Sequence, residues 1–207
     1  MGFYAKYVLP RVIDLAMRNK DAARLRAEWL PNASGDVLEI GMGSGLNLPF
    51  YSARVRRVYG VDPSHELQQM ARKRAAGGQV EVHFLLQSAE ERTPLSEASI
   101  DTAVVTWTLC SIPNPLQALQ EAKRVLKPDG RLIFIEHGRS SDAAVAARQD
   151  WLTPMWKRIG GGCHLNRRVD EIIEAAGFRI TELKTFYLPG PRPMTNTYQG
   201  FAQPAAR

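Results

Sequence analysis

The chain has 207 residues, 44% of them apolar and 23% charged, with 27 Lys+Arg against 21 Asp+Glu for a formal charge of +6. These values exclude a disordered or fibrous chain and predict one soluble domain with a full core. No apolar run approaches the ~20 residues of a membrane-spanning helix, so no stable membrane insertion is expected.

Residues 4–30 read as one or two helices. Val8, Leu9, Val12, Ile13, Ala16 and Met17 fall on one predicted face, with Arg11, Asp14 and Arg18 on the other. Val37, Leu38 and Ile40 predict a short buried strand. It runs into Gly41, Gly43 and Gly45 at alternate positions, followed by a helix start across residues 46–51. A strand, a glycine turn and a helix N-terminus bring bare backbone and free N–H groups up to a ligand. The spacing is G-x-G-x-G rather than the G-x-G-x-x-G of a dinucleotide site, and the acid Glu39 precedes it. An acid there repels a pyrophosphate and suits a ligand with an ammonium group and a sulfonium.

Residues 55–61 form a second predicted strand, ending at Asp62. That is about 20 residues past the first glycine, where an acid can hydrogen-bond ribose hydroxyls. Ser64 is the expected cap of a helix over residues 65–76, closed by Gly77-Gly78. A third strand spans 80–86, and Gln87-Ser88-Ala89-Glu90 follows at its carboxyl end. Residues 100–106 are near-continuously apolar, as a parallel strand covered on both faces should be. Asn114-Pro115 opens a helix, Pro128-Asp129-Gly130 reads as a turn, and a fifth strand spans 131–136 before His137. Residues 138–165 have no regular pattern. Asn166 is the expected cap of a helix with Val169, Ile172, Ile173 and Ala176 inward. Strands over 178–186 and 195–202 close the chain as an antiparallel hairpin, joined by a Pro-rich loop over 188–193. The prediction is an α/β fold, a mostly parallel sheet with helices on both faces.

The stretch Glu39-Ile-Gly-Met-Gly-Ser-Gly45 resembles the first motif of class I S-adenosylmethionine-dependent methyltransferases, a Rossmann-like fold of seven strands with the last one antiparallel. Residues 101–112 and 121–130 resemble the methyltransferase type 11 group, which includes quinone C-methyltransferases. The run from Leu152 to Arg167, with Ile135-Glu136-His137, is similar to the alkyl thiol S-methyltransferases, whose bacterial relatives are often labelled phospholipid N-methyltransferases. The resemblance implies S-adenosylmethionine as cofactor, with Glu39, Gly41, Gly43, Gly45 and Asn47 at its methionine end. Asp62 and Pro63 fall at the ribose, Ser88, Ala89 and Glu90 at the adenine, and Thr106 and Leu109 on the wall after the fourth strand. Ser88 stands where the group commonly has an acid.

One domain is expected over 1–207, with a helical lid over 1–33, a cofactor core over 34–137 and a substrate-side portion over 138–207. The expected reaction is methyl transfer to a small apolar acceptor, a thiol sulfur first. A phospholipid amine or a quinone carbon are the alternatives, and a cofactor-binding partner subunit is the non-enzymatic one. A thiol must ionise to react, and His137, then His164, are the candidate bases. Trp107, Trp151 and Trp156 are candidate acceptor walls, with Trp156 favoured; Cys110 reads as core. Neither Cys nor His has metal-ligand spacing, so no metal is expected. Thr106-Trp-Thr-Leu109 lacks the Asp/Asn-Pro-Pro-aromatic run of amino-directed DNA methyltransferases, and the basic residues are scattered, so no nucleic-acid partner is expected. Two cysteines and no signal pattern predict a cytoplasmic location; the oligomeric state stays open.

Overall fold

The computed structural model describes residues 8–205; the predicted helical positions 4–7 lie outside them. The core of the fold is one seven-stranded sheet. Its strands are β1 (Gly35–Ile40), β2 (Val55–Val61), β3 (Glu81–Leu85), β4 (Ile100–Thr106), β5 (Leu126–His137), β6 (Phe178–Tyr187) and β7 (Asn196–Pro204). Their spatial order is β3-β2-β1-β4-β5-β7-β6. The first five pair in parallel, and β7 enters antiparallel to both β5 and β6. The seven strands with one reversed member are those expected from the sequence.

The central strands are apolar at nearly every position because both faces are covered, and their period of two divides the core. Leu38, Ile40, Ala103, Val105, Leu132 and Phe134 face one layer. There they meet α4 (Pro115–Val125) through Leu119, Ala122 and Val125, and α6 (Val169–Ala175) through Val169 and Ile173. Val37, Val104, Ile133 and Ile135 face the other layer. This one holds Leu25 and Trp29 of α2 (Lys20–Trp29) and Ala71 of α3 (His65–Ala75). Capping follows the sequence at two helices. The Ser64 hydroxyl accepts from the Leu67 N–H at 3.2 Å, and the Asn114 carbonyl oxygen from the Gln117 N–H at 3.2 Å, with Pro115 in the first turn.

Several expectations are corrected. No α-helix follows the glycine loop; only a 3₁₀ turn, Leu48–Phe50, forms there. Pro49 removes a donor from that turn, and the Asn47 side chain is engaged elsewhere rather than capping it. The pattern-less region contains α5 (Ala143–Ile159), 17 residues long. Asp142 starts it by accepting the N–H groups of Ala144 and Val145 at 2.9 and 3.2 Å, and Pro154 inside it hides the helix from a pattern reading. Asn166 does not cap α6; it donates to Asp150 Oδ1 at 2.8 Å, and Arg168 occupies the cap position. Pro128-Asp129-Gly130, expected as a turn ahead of the fifth strand, lie inside it. β5 already pairs at Leu126 with Ile100 and next at Arg131 with Thr102, so the turn residues bulge out within it. The Pro-rich loop forms the short α7 (Arg192–Thr195) before β7.

The helix α1 (Leu9–Ala16) is rotated from its predicted orientation. Asp14 is buried, 4% exposed, whereas Val12 and Leu15 are 51% and 72% exposed. A buried acid needs partners. Ser44 Oγ donates to Asp14, as do the guanidinium groups of Arg18 and Arg74, and these bonds hold its carboxyl below the usual range against the opposing effect of burial.

Two glycines give a test of how tightly the sheet is packed. A Cβ on Gly200 of β7 would lie 1.9 Å from the Glu182 carbonyl oxygen and 2.8 Å from the Phe134 ring, whereas one on Gly77 meets nothing within 4 Å. Gly200→Ala should destabilise by about 1–3 kcal/mol or more, and Gly77→Ala should stay within about 0.5 kcal/mol of the parent. Urea denaturation of both variants reads the difference; equal midpoints would refute the packing described for β7.

Candidate active site

A cavity of about 340 Å³ opens at the carboxyl ends of β1, β2, β3 and β4. Open α/β sheets bind ligands at this edge, because successive strands release their loops there. Its walls come from the glycine loop, Asp62-Pro63-Ser64 after β2, Ser88-Ala89 after β3, and Thr106-Trp107-Thr108 after β4. Ile13, Asp14 and Met17 reach it from the N-terminal helix, and Arg26 from α2.

The three glycines do different work. Gly41 has φ +66°, and a Cβ there would lie 2.2 Å from the Thr108 side chain, so glycine permits the β1 and β4 exits to touch. Gly43 has φ +56°, and its Cβ would meet nothing closer than a carbonyl oxygen at 3.9 Å, leaving bare backbone open to the cavity. Gly45 does not line the cavity; it packs on Leu48 and Ala71 of α3. Asp62 ties the loop to β2. Its Oδ2 accepts from the Gly43 N–H at 2.9 Å and its Oδ1 from the Ser64 N–H at 2.8 Å. Burial raises its pKa, and the two backbone bonds oppose that rise. Each oxygen keeps a lone pair for a donor in the cavity.

Glu39 lies one layer below this wall. Its oxygens accept from Asn47 Nδ2 at 2.9 Å and from the Tyr51 hydroxyl at 2.7 Å. Asn47 also donates to Thr106 Oγ1 at 3.0 Å and accepts from Arg26 Nε at 2.8 Å. Arg26 Nη1 donates to the Met17 carbonyl at 2.8 Å, and the guanidinium sits 4.8 Å over the Trp107 ring. Burial pushes Glu39 up to about 7 and pulls Arg26 down to about 10, while their mutual attraction opposes both shifts.

The β4 exit is held by a second buried acid. Glu136 Oε1 accepts the N–H groups of Thr108 and Leu109 at 2.7 and 3.0 Å, and burial raises its carboxyl well above the usual range. This pins Trp107 at φ +48°, a conformation that costs a non-glycine residue about 1–3 kcal/mol. The Trp107 N–H still donates to the Ile135 carbonyl at 2.8 Å.

Of the residues expected from the sequence, Gly41, Gly43, Asn47, Asp62, Pro63, Ser88, Ala89 and Thr106 converge on the cavity. Glu90 does not line it; its carboxylate bonds Ser88 Oγ and the Asn114 N–H at the start of α4. Leu109 is core. Both histidines stand behind the wall. His137 is buried, with Nε2 3.2 Å from the Pro193 carbonyl and Nδ1 unpartnered, and burial lowers its pKa, which keeps it neutral at pH 7. His164 donates its backbone N–H to the Cys110 carbonyl at 2.8 Å, with Nδ1 at 3.2 Å from the same oxygen. Trp107 is the tryptophan on the cavity; Trp156 is not, and Trp151 is 79% exposed. Cys110 is buried, as expected. Sequence reasoning missed Asp14, Arg26 and Glu136. Asp14 and Arg26 are charged positions on helices, which read as a solvated face, Glu136 ends a strand, and no spacing marks any of them as a neighbour of the site.

Glu39 gives a pH signature. Its folded pKa of about 7 lies above the ordinary 4.5. Its contribution to stability is therefore present in full below 4.5 and lost as pH rises through 7. The stability of the parent relative to Glu39→Gln should fall across that window, read as the difference between their urea midpoints from pH 4.5 to 8. A difference independent of pH would show that Glu39 titrates as an ordinary carboxylate.

A methyltransferase-domain family model matches residues 38–134. Thiol S-methyltransferase TMT1B of Rattus norvegicus is 38% identical over 152 residues, covering 72% of this chain and 62% of that protein. The chain thus spans less than two thirds of that relative. Phosphatidylethanolamine N-methyltransferase of Cereibacter sphaeroides is 31% identical over 144 residues, covering 69% of this chain and 68% of that protein. A SAM-dependent methyltransferase from Leishmania major superposes with a TM-score of 0.71 at 14% identity, over 97% of this chain and 80% of that one, a likeness of fold. With that sheet order and relatives matched across most of its length, this chain belongs to the methyltransferase domain family, the class I S-adenosylmethionine-dependent methyltransferases.

Proposed function

We propose that the chain transfers the methyl group of S-adenosylmethionine to the sulfur of a small apolar thiol. The observation that carries this reading is the mixed lining of the cavity. Bare backbone at Gly43, the acceptor Asp62 and the cation Arg26 share it with Ile13, Met17, Trp107 and Ile112. The polar groups fit an adenosyl amino acid. Asp62 faces the cavity with free lone pairs for a ribose diol, Gly43 admits close approach, and Arg26 complements a carboxylate. When bound, S-adenosylmethionine supplies an electrophilic methyl on its sulfonium.

The chain's own contribution is alignment and exclusion of water. Holding the acceptor behind the reacting carbon can supply ~7–11 kcal/mol, and the Trp107–Ile112 wall, held by Glu136, keeps that region apolar. Ile13 of α1 and Met17 just after it add to the apolar lining. The attacking thiolate would form the new carbon–sulfur bond with a sulfur lone pair as the methyl–sulfonium bond broke and its electron pair stayed on the departing thioether; the thiol proton must already have left. No imidazole lines the cavity among the described residues, and Asp14 is held as an anion by Ser44, Arg18 and Arg74. Deprotonation is therefore assigned to solvent. His137 and His164 are assigned to positioning the β5 exit and the Cys110–Ser111 turn.

The likeness to the thiol S-methyltransferase supports sulfur as acceptor. The likeness to the phosphatidylethanolamine enzyme favours a second reading, transfer to a lipid amine. Labelled methyl transfer from S-adenosylmethionine to alkyl thiols and to phosphatidylethanolamine separates the two. Thiol methylation should dominate, and its rate should rise with pH toward each thiol's own pKa, near ~8.5 for an ordinary one. His137→Gln should keep that profile. A profile governed by an ionisation below pH 7 that the variant abolishes would restore the imidazole as base. Methylation of the amine with none of the thiols would overturn the acceptor.

A further inference from the structure

The helix α5 is built inside out. Its inward side carries Val145 and Ala146, then the polar residues Gln149 and Thr153. Gln149 accepts the Ser140 N–H at 2.8 Å and donates to the carbonyls of Gly138 and Pro193 at 3.0 and 3.1 Å. Its large apolar side chains point the other way. Trp151, Met155 and Ile159 are 79%, 57% and 53% exposed, and their spacing of four sets them in one row along the helix. Single exposed apolar residues are ordinary, whereas a continuous row headed by tryptophan marks a contact surface.

The chemistry around the row identifies the contact. Arg148 and Arg158, each three residues from a member of the row, are exposed beside it and make no ion pair among the described residues. The acid on the same helix, Asp150, is already held by Arg139 at 2.6 Å and by Asn166 at 2.8 Å. An apolar row with tryptophan and flanking cations suits the boundary between acyl chains and anionic headgroups. A second copy of the chain fits less well, since pairing the row with itself on a two-fold axis brings like charges together. The N-terminal helix repeats the inversion, with Asp14 inward and Val12 and Leu15 outward. Both helices border one cavity: Ile13 and Met17 line it from α1, and Gly161 lines it two residues after α5 ends.

We propose that the outer face of α5 docks on an anionic lipid surface and sets the cavity beside the membrane. No helix among the described residues is long and apolar enough to cross a bilayer, so the contact is peripheral. The net charge of +6 acts in the same direction. This docking does not depend on which acceptor the cavity takes, because binding is read without turnover.

The test is co-sedimentation of the full chain with vesicles of phosphatidylcholine plus phosphatidylglycerol, and with vesicles of phosphatidylcholine alone. The parent should pellet with the anionic vesicles and stay largely in solution with the neutral ones. The triple variant W151S/M155S/I159S should lose at least tenfold in vesicle affinity while keeping the parent's thermal midpoint, since these side chains support no core. The charge variant R148E/R158E should lose the preference for anionic vesicles. A parent that pellets with neither vesicle, or a triple variant that binds as the parent does, overturns the proposal. So does a parent dimer in size-exclusion chromatography that the triple variant converts to monomer without any vesicle binding.

Discussion

The Asn47 side chain joins four parts of the chain through one buried amide. Its nitrogen donates to Glu39 on β1 and to Thr106 at the end of β4, and its oxygen accepts from Arg26 on α2. Asn47 itself follows the glycine loop, so the loop, two strand ends and a helix meet at one planar group. An amide offers two donors and an acceptor in fixed directions, which is what this junction needs. A carboxylate there would leave Glu39 facing a second acceptor, and an apolar residue would leave Arg26 and Glu39 buried with too few partners.

The rest of the cavity follows from that junction. Arg26, once oriented, stacks over Trp107 and bonds the Met17 carbonyl, and so links the β4 exit to the segment after α1. Glu136 holds the backbone of Thr108 and Leu109 and keeps Trp107 in its left-handed conformation. Asp62 fixes Gly43 from the other side. Most polar groups around the cavity are already bonded within the chain, its apolar residues bring bulk and no competing donors, and Asp14 is ion-paired where α1 crosses. Ile13 of α1 and Gly161, two residues after α5, both line this cavity, and each of these helices turns apolar residues outward.

Much of the fold is legible in the sequence because the central strands are covered on both sides. Residues 100–106 and 131–136 read as continuous apolar runs, and Ser64 and Asn114-Pro115 announce helix starts. The glycine spacing and the interval to Asp62 locate the cavity, since both reflect backbone geometry that few residues permit. The helix α5 is not legible. Its pattern is inverted, with Gln149 and Thr153 inward and Trp151 and Met155 outward, and Pro154 interrupts it. The rotation of α1 is hidden for the same reason: Asp14 has its partners in Ser44 and Arg74, far away in sequence. The histidines show the converse limit. His137 does end a strand at the ligand-binding edge, but its side chain turns behind the wall toward Pro193, which no spacing rule reveals.

The most direct measurement of this account is the affinity of Asn47→Leu for S-adenosylmethionine by calorimetry, beside its far-ultraviolet circular dichroism. If Asn47 holds the cavity together, the variant should keep the parent's secondary structure and lose at least tenfold in affinity, about 1.4 kcal/mol. Parental affinity in a folded Asn47→Leu variant would contradict the claim that this buried amide organises the site.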